Sequence, residues 1–253
     1  MVTFRDAGIV LRTHKLAEAD RIITLLTRDH GKVRAVAKGV RRPKSRFGGR
    51  LEPFMYADLQ FYEGRSLDTV TQAVTLAAYG GPITASYPAF TAANAVAEVA
   101  DKLSPVEHVP ARLLFRLTVG AVAALARSVA PPDPEGNAPT PGPGSVADSY
   151  LLRALALAGY APALTDCARC GAQGPHRAFS PAAGGVVCQR CRPPGSAAPT
   201  GATVALLGAL LEGDWPAVAA APPQAAAESA GLARSFAEFH LERAIGSLRL
   251  MDR

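Results

Sequence analysis

The hydrophobic pattern of this chain changes its period once, across Tyr79-Gly80-Gly81-Pro82, and what can fold differs on the two sides. Upstream, apolar residues come in short β-branched runs bounded by turn residues, which is the pattern of strands. Ile9-Val10-Leu11 lies in a first candidate strand, Thr3 to His14, and Ile22 to Thr27 forms a second. Arg28-Asp29-His30-Gly31 has hairpin-turn chemistry, with Gly31 able to take positive φ. Lys32 to Val40 is a third strand. Pro53 to Tyr62 and Leu67 to Leu76 are a fourth and fifth, joined by Glu63-Gly64-Arg65-Ser66.

Five short strands in so little chain suit a small closed barrel of the OB type, with an SH3-like barrel the competitor on strand count alone. Downstream the spacing turns helical. Phe90, Ala93, Ala97 and Ala100 share one face of a helix over Thr84 to Ser104, with Val96, Val99 and Leu103 nearby. Further helices are expected at Arg112 to Val129, Val146 to Gly159, Thr203 to Glu212 and Ala226 to Arg249, the last with Leu232, Phe236, Phe239 and Leu248 as its apolar stripe. Residues 131–145 (PPDPEGNAPTPGPGS) are too rich in Pro and Gly to pack and read as a surface loop. The expected fold is therefore α+β. An N-terminal barrel domain (1–80) precedes a helical domain (81–160 and 196–253), into which a cysteine-bearing segment (161–195) is inserted.

Charge is distributed as unevenly as periodicity. Residues 1–50 hold thirteen Lys/Arg against four Asp/Glu, whereas 51–253 hold fourteen against seventeen. The excess concentrates between Gly31 and Arg50 in Lys32, Arg34, Lys38, Arg41, Arg42, Lys44, Arg46 and Arg50, with no acidic residue among them. On a strand alternate residues share a face, so Lys32, Arg34 and Lys38 should point to solvent while Val33, Ala35 and Ala37 fill the barrel. Pro43 and Gly48-Gly49 argue against regular structure beyond Val40, which puts the remaining cations on a loop. An ordinary solvated face mixes signs and this one does not, which points to a polyanion and most simply to nucleic acid. Phe47 within the loop has two readings, a stacking platform for a base or an aromatic tucked back onto the barrel.

All four cysteines fall in one stretch, as Cys167-Ala-Arg-Cys170 and Cys188-Gln-Arg-Cys191. Paired C-x2-C knuckles at this separation match a four-thiolate zinc site, in which two tight turns each present two sulfurs to one tetrahedron. Gly171 and Gly184-Gly185 permit the tight backbone. Two disulfides are the alternative and require an oxidising compartment. Four thiolates leave no open coordination position, so one structural Zn2+ per chain is expected, with His176 redundant as a ligand.

No pattern of an enzyme emerges. There is no G-x-x-x-x-G-K-[ST], no H-E-x-x-H, and neither C-x-x-C follows a Pro after an H-x-E as in zinc deaminases. Glu18 and Asp20 are carboxylates close together in sequence, and they suit a solvated turn better than a metal nuclease. The N-terminus lacks an apolar export segment and no apolar run reaches membrane-spanning length, so a cytoplasmic protein is expected.

The stretch GIVLRTHKLAEADRIITLLTRDHGKVRAVAKGVRRPKSRFGGRLEPF resembles the N-terminal domain of the RecO family of bacterial recombination mediators, and Phe236-Ala-Glu-Phe239-His240-Leu241 is similar to that family's closing helix. The resemblance implies binding of single- and double-stranded DNA without sequence specificity and annealing of complementary strands. It also implies work with RecR and the single-strand-binding protein to load RecA at sites of DNA damage, with no ATP hydrolysis. A nucleoid-associated place in the cytoplasm follows from that role. Carried onto matching positions, the DNA-binding role falls on Arg34, Lys38, Arg41, Arg42, Lys44 and Arg46. The family's pocket for the acidic C-terminal tail of the single-strand-binding protein lies in the helical domain, and some members lack the cysteines. An RNA-binding or ribosome-associated zinc protein shares the basic barrel and the knuckles and is the alternative.

Overall fold

The computed structural model describes residues 2–129 and 140–241. The chain forms two compact units, 1–130 and 131–253.

In the first unit, β1 (Thr3–Leu16), β2 (Asp20–Thr27), β3 (Gly31–Ala37), β4 (Met55–Tyr62) and β5 (Asp68–Ala78) hydrogen-bond in the order β1-β2-β3-β5-β4. β4 pairs back onto β1, so the sheet closes on itself. Every contact is antiparallel except β3–β5, a short parallel pairing of Ala35 with Asp68 and Val36 with Thr69. Alternation sets the core: Val10, Ile23, Leu25, Val33, Ala35, Ala57, Leu59, Phe61 and Val70 point inward and are buried. Apolar residues on the outer face of β1 and β2 are buried as well. Ile9 and Leu26 sit opposite one another there, enclosed because α2 (Tyr87–Leu103) packs on β1 and α3 (Arg112–Ser128) on β2. A short helix, α1 (Gly80–Thr84), makes the corner between β5 and α2, at the point where the hydrophobic period changes. Grouping by element type ends the strands near residue 80, whereas compactness places α1 to α3 with the barrel.

Local chemistry explains the boundaries. Ser86 caps α2 by accepting from the Ala89 N–H, and Pro88 occupies the first turn, where a missing N–H costs nothing. The β2–β3 turn is held from below by Asp6 of β1. Its buried Oδ2 accepts from the backbone N–H groups of Asp29 (2.8 Å) and His30 (3.0 Å) and meets the His30 ring at 2.8 Å. Gly31 takes φ +63° there, and a Cβ on it would lie 1.8 Å from the Val109 carbonyl oxygen.

The second unit packs α4 (Pro143–Leu157) against α5 (Gly201–Glu212) and α7 (Pro223–His240), with α6 (Trp215–Ala219) as a short connector. Tyr150, Leu151, Leu155, Leu206, Leu207, Leu210, Ala233 and Phe236 fill the space between the helices. Between α4 and α5 the cysteine segment contributes a two-stranded hairpin, β6 (Ala178–Ser180) and β7 (Gly185–Val187), docked to α7 by the Phe179–Phe236 ring contact.

Several sequence expectations are corrected. Pro143 to Ser145, assigned to the Pro/Gly loop, form the first turn of α4, because Pro143 stands at a helix start, where its ring is compatible. Of that loop, 131–139 lie outside the described residues, as does Leu248 of the apolar stripe on the last helix. Phe239 of that stripe is half exposed, and Phe90 lies at the margin of the buried face of α2.

The segment after β3 departs most from expectation. It is a chain of tight turns, with backbone bonds Arg42 to Gly39, Ser45 to Arg42, Gly48 to Ser45 and Arg50 to Phe47, ending in a 3-10 turn at Gly48–Leu51. Val40, Phe47 and Leu51 turn inward and belong to the barrel core. Phe47 is 1% exposed, so the tucked reading holds and no ring is offered to a base. Replacing Phe47 by Ala should therefore cost about 3–5 kcal/mol in urea unfolding, as for a core Phe, where a surface ring would cost well under 1.

Candidate nucleic-acid interface and thiolate cluster

The eight cations between Gly31 and Arg50 fall into two groups. Lys32 was expected on a solvent face. Its Nζ instead lies 2.9 Å from the Asp101 carboxylate and 3.0 Å from the Asp101 carbonyl oxygen, with the side chain 11% exposed. Arg34 pairs with Glu107 at 3.3 Å. Alternation does turn both residues out of the barrel, but the end of α2 and the chain after it cover that surface with acids. Asp101 also receives Arg12 of β1 at 3.0 Å, so one carboxylate ties two strands to one helix. A single sequence carries no signal for these pairs, because Lys32 and Asp101 are 69 positions apart.

The other six cations, Lys38, Arg41, Arg42, Lys44, Arg46 and Arg50, are exposed, and none pairs with a carboxylate among the described residues. Two of them brace the segment. Arg50 donates through Nη1 to the carbonyl oxygens of Arg46 and Phe47, both at 3.1 Å. Arg41 donates to the Glu18 carbonyl oxygen at 2.7 Å, and its own N–H bonds the Ala19 carbonyl. Arg46 stacks over the buried Phe47 ring at 4.8 Å. The segment is clamped at both ends. Asp20 accepts from the Gly39 N–H at 2.7 Å, and Arg21 reaches Glu52 at 2.8 Å. Asp20, weighed above as a possible metal ligand, is thus a backbone acceptor. The cations stand on a preformed ledge, with apolar neighbours below and charge above. Among the described residues Lys38, Arg42 and Lys44 have no hydrogen-bond or ion-pair partner through their charged groups.

In the second unit the four Sγ atoms lie within 4.8 Å of one another, with Cys170 and Cys188 at 3.8 Å, and all four cysteines are free. A tetrahedron with metal–sulfur bonds of ~2.3 Å has edges of about 3.8 Å, so this donor set fits a four-coordinate metal. Each knuckle closes on a backbone bond, Gly171 N–H to Cys167 carbonyl and Cys191 N–H to Cys188 carbonyl. Gly185 lets the two halves approach. A Cβ there would meet the Ala163 oxygen at 2.2 Å, where β7 lies against Ala163. The first thiol of each knuckle is acidified. Cys167 falls to about 6, chiefly through the Cys188 N–H, and Cys188 is lowered by the Cys191 N–H. Cys191 is pushed up to about 12, chiefly because its thiol shares hydrogen bonds with the sulfurs of Cys170 and Cys188. Around a metal, four sulfurs would complete a tetrahedral shell and leave no position for substrate, which is compatible with a structural site. His176 meets the Ala172 carbonyl oxygen at 2.8 Å through Nε2, apart from the sulfurs.

A closed barrel bearing an unpaired cationic ledge, together with helices carrying a four-sulfur metal-ligand set, defines a polyanion-binding protein with a structural metal module. The family model described as Recombination protein O N terminal matches residues 1–79, and that described as Recombination protein O C terminal matches residues 85–249. The chain belongs to the recombination protein O family. Its role is that of a mediator of DNA recombination and repair. Among the described residues no helix is long and apolar enough to cross a membrane.

Replacing Lys32 by Met should leave DNA affinity within about twofold, since the charge removed already faces Asp101. The same change at Lys38 should lower the salt slope of binding by about 0.7–0.9, the value of one phosphate contact. Filter binding over a salt series reads both.

Proposed function

We propose that this protein binds single- and double-stranded DNA without sequence specificity through the ledge of Lys38, Arg41, Arg42, Lys44 and Arg46. We further infer that it anneals complementary strands and, with RecR, helps load RecA onto DNA coated by single-strand-binding protein. The observation that carries the reading is the run of exposed cations without carboxylate partners on a segment whose shape is fixed by Val40, Phe47 and Leu51. Cations placed in this way meet phosphates, and phosphate contacts position a strand without reading its bases. Lys32 and Arg34 act as struts to α2 and the chain after it. Arg50 acts mainly as the brace of the ledge.

The strand order, with a parallel β3–β5 pairing closing an otherwise antiparallel sheet, supports the OB type over the SH3-like alternative. In functional terms we divide the chain at residue 80 and again around the cysteine segment, assigning DNA to the barrel. The acidic tail of single-strand-binding protein is assigned to the helical part, as the resemblance implies. Zn2+, one per chain, is the metal that four thiolates at this spacing suit best, and it serves folding, with no catalytic step of the protein's own. The cytoplasmic nucleoid is the place such a role requires.

Replacing Arg41, Arg42 and Lys44 together by Ala should weaken binding to every sequence alike and flatten the salt dependence by about two to three units of slope. An unchanged slope would remove the ledge from the interface. Competition between DNA and RNA of one sequence separates the mediator from an RNA-binding protein. Annealing of strands already coated with single-strand-binding protein separates it from a generic DNA binder. Metal analysis should return about one equivalent of zinc, and a chelator should unfold the cysteine hairpin while the barrel signal persists.

A further inference from the structure

The cysteine segment carries a charge anomaly of its own. Residues 161–195 hold four arginines against one acid, Asp166, whereas the remainder of 51–253 holds ten basic residues against sixteen acidic ones. Two of these arginines occupy the same place in their knuckles. Cys167-Ala-Arg169-Cys170 and Cys188-Gln-Arg190-Cys191 each put Arg immediately before the second cysteine, and Arg192 follows directly. The four sulfurs draw the knuckles together to within 4.8 Å, so both arginines stand beside one cluster. Cys167 is enclosed and Cys170 is at the surface. Arg169, Arg190 and Arg192 are all exposed, and none pairs with a carboxylate among the described residues; Arg192 only donates to the Ser196 carbonyl at 3.4 Å.

We propose that Arg169, Arg190 and Arg192 form a second contact surface for the phosphate backbone of DNA, separate from the barrel ledge. The inference rests on the DNA-binding reading of the barrel and extends it to the second unit. Around these arginines the knuckles offer Ala168, Gln189, Gly171 and Pro193, with no aromatic or large aliphatic side chain. A protein partner would need such groups for the core of an interface, whereas a phosphate backbone needs only the guanidinium forks. Charge balance is the competing role, since four thiolates around a dication leave a net −2 that nearby arginines would offset.

The test uses the full chain and two DNA probes, a single strand of about eight nucleotides, within the site size of one OB-type barrel, and one several times longer. With Arg169, Arg190 and Arg192 all replaced by Ala, the short probe should bind as to the native protein. The long probe should bind more weakly, with the salt slope reduced by about two, at ~0.7 per lost contact on single strands. Lysine at the three positions should restore the slope, and bound metal should stay at the native level. Glutamine at the three positions keeps side-chain length and gives the same reading should alanine loosen the knuckles. Native affinity and slope on the long probe would overturn the proposal, as would loss of metal with DNA binding intact, which is the signature of charge balance alone. The Arg41, Arg42, Lys44 variant is run alongside. If it too binds the short probe normally, the barrel reading fails; if it weakens while the knuckle variant does not, only the second surface fails.

Discussion

The first unit depends on how its barrel is closed. β3 and β5 share only the pairings Ala35–Asp68 and Val36–Thr69, which is too short a seam to seal a five-stranded sheet. The turns after β3 complete the closure by folding Val40, Phe47 and Leu51 into the core. Because the apolar side chains must face inward there, the residues between them, Arg41, Arg42, Lys44 and Arg46, have only the outer surface available. Core formation and display of cations are one event. The ordering entropy of the segment is met during folding, so under the proposed function a strand would find the cations already in place.

Charge is used in two distinct ways on this small body. At the end of the barrel near the β2–β3 turn, cations and acids are matched: Lys32 and Arg12 on Asp101, Arg34 on Glu107, Arg112 on Asp29 at 2.8 Å. These pairs join the strands and the β2–β3 turn to α2, α3 and the chain between those helices, and are shielded from solvent to differing degrees. On the ledge the cations are unmatched, and their mutual repulsion persists until a polyanion arrives. A basic count taken over the whole stretch merges two populations whose responses to salt should differ. Only the unmatched one is free to neutralise phosphates and so displace the counterions condensed on a nucleic acid.

Much of this was legible in the chain itself. The strands, the main helices and the knuckles announce themselves through period and spacing, which are local properties. Pro143 misled, because Pro and Gly mark both loops and helix starts, and only the helix that follows distinguishes them. Phe47 could not be assigned from its neighbours, since Pro43 and Gly48-Gly49 describe a loop equally well whether its aromatic faces in or out. Lys32 looked like its neighbours Arg34 and Lys38. Its partner Asp101 lies on a helix whose docking is decided by the burial of Ile9 and Leu26, a long-range packing event. The thiolates needed no such help, because coordination geometry itself dictates the spacing.

Alternation along residues 40–51 has a consequence for how such a protein can change over generations. Positions 40, 47 and 51 are answerable to stability, while 41, 42, 44 and 46 touch little of the core. Substitutions at Arg42 and Lys44, whose charged groups hold nothing else in place, would alter the proposed grip on DNA at little cost to folding, whereas Arg41 and Arg46 also brace the segment. Substitutions at the first set are screened by folding before binding is ever at issue. Affinity and stability are thus separately heritable along a dozen consecutive residues, and a lineage can tune one without drifting in the other.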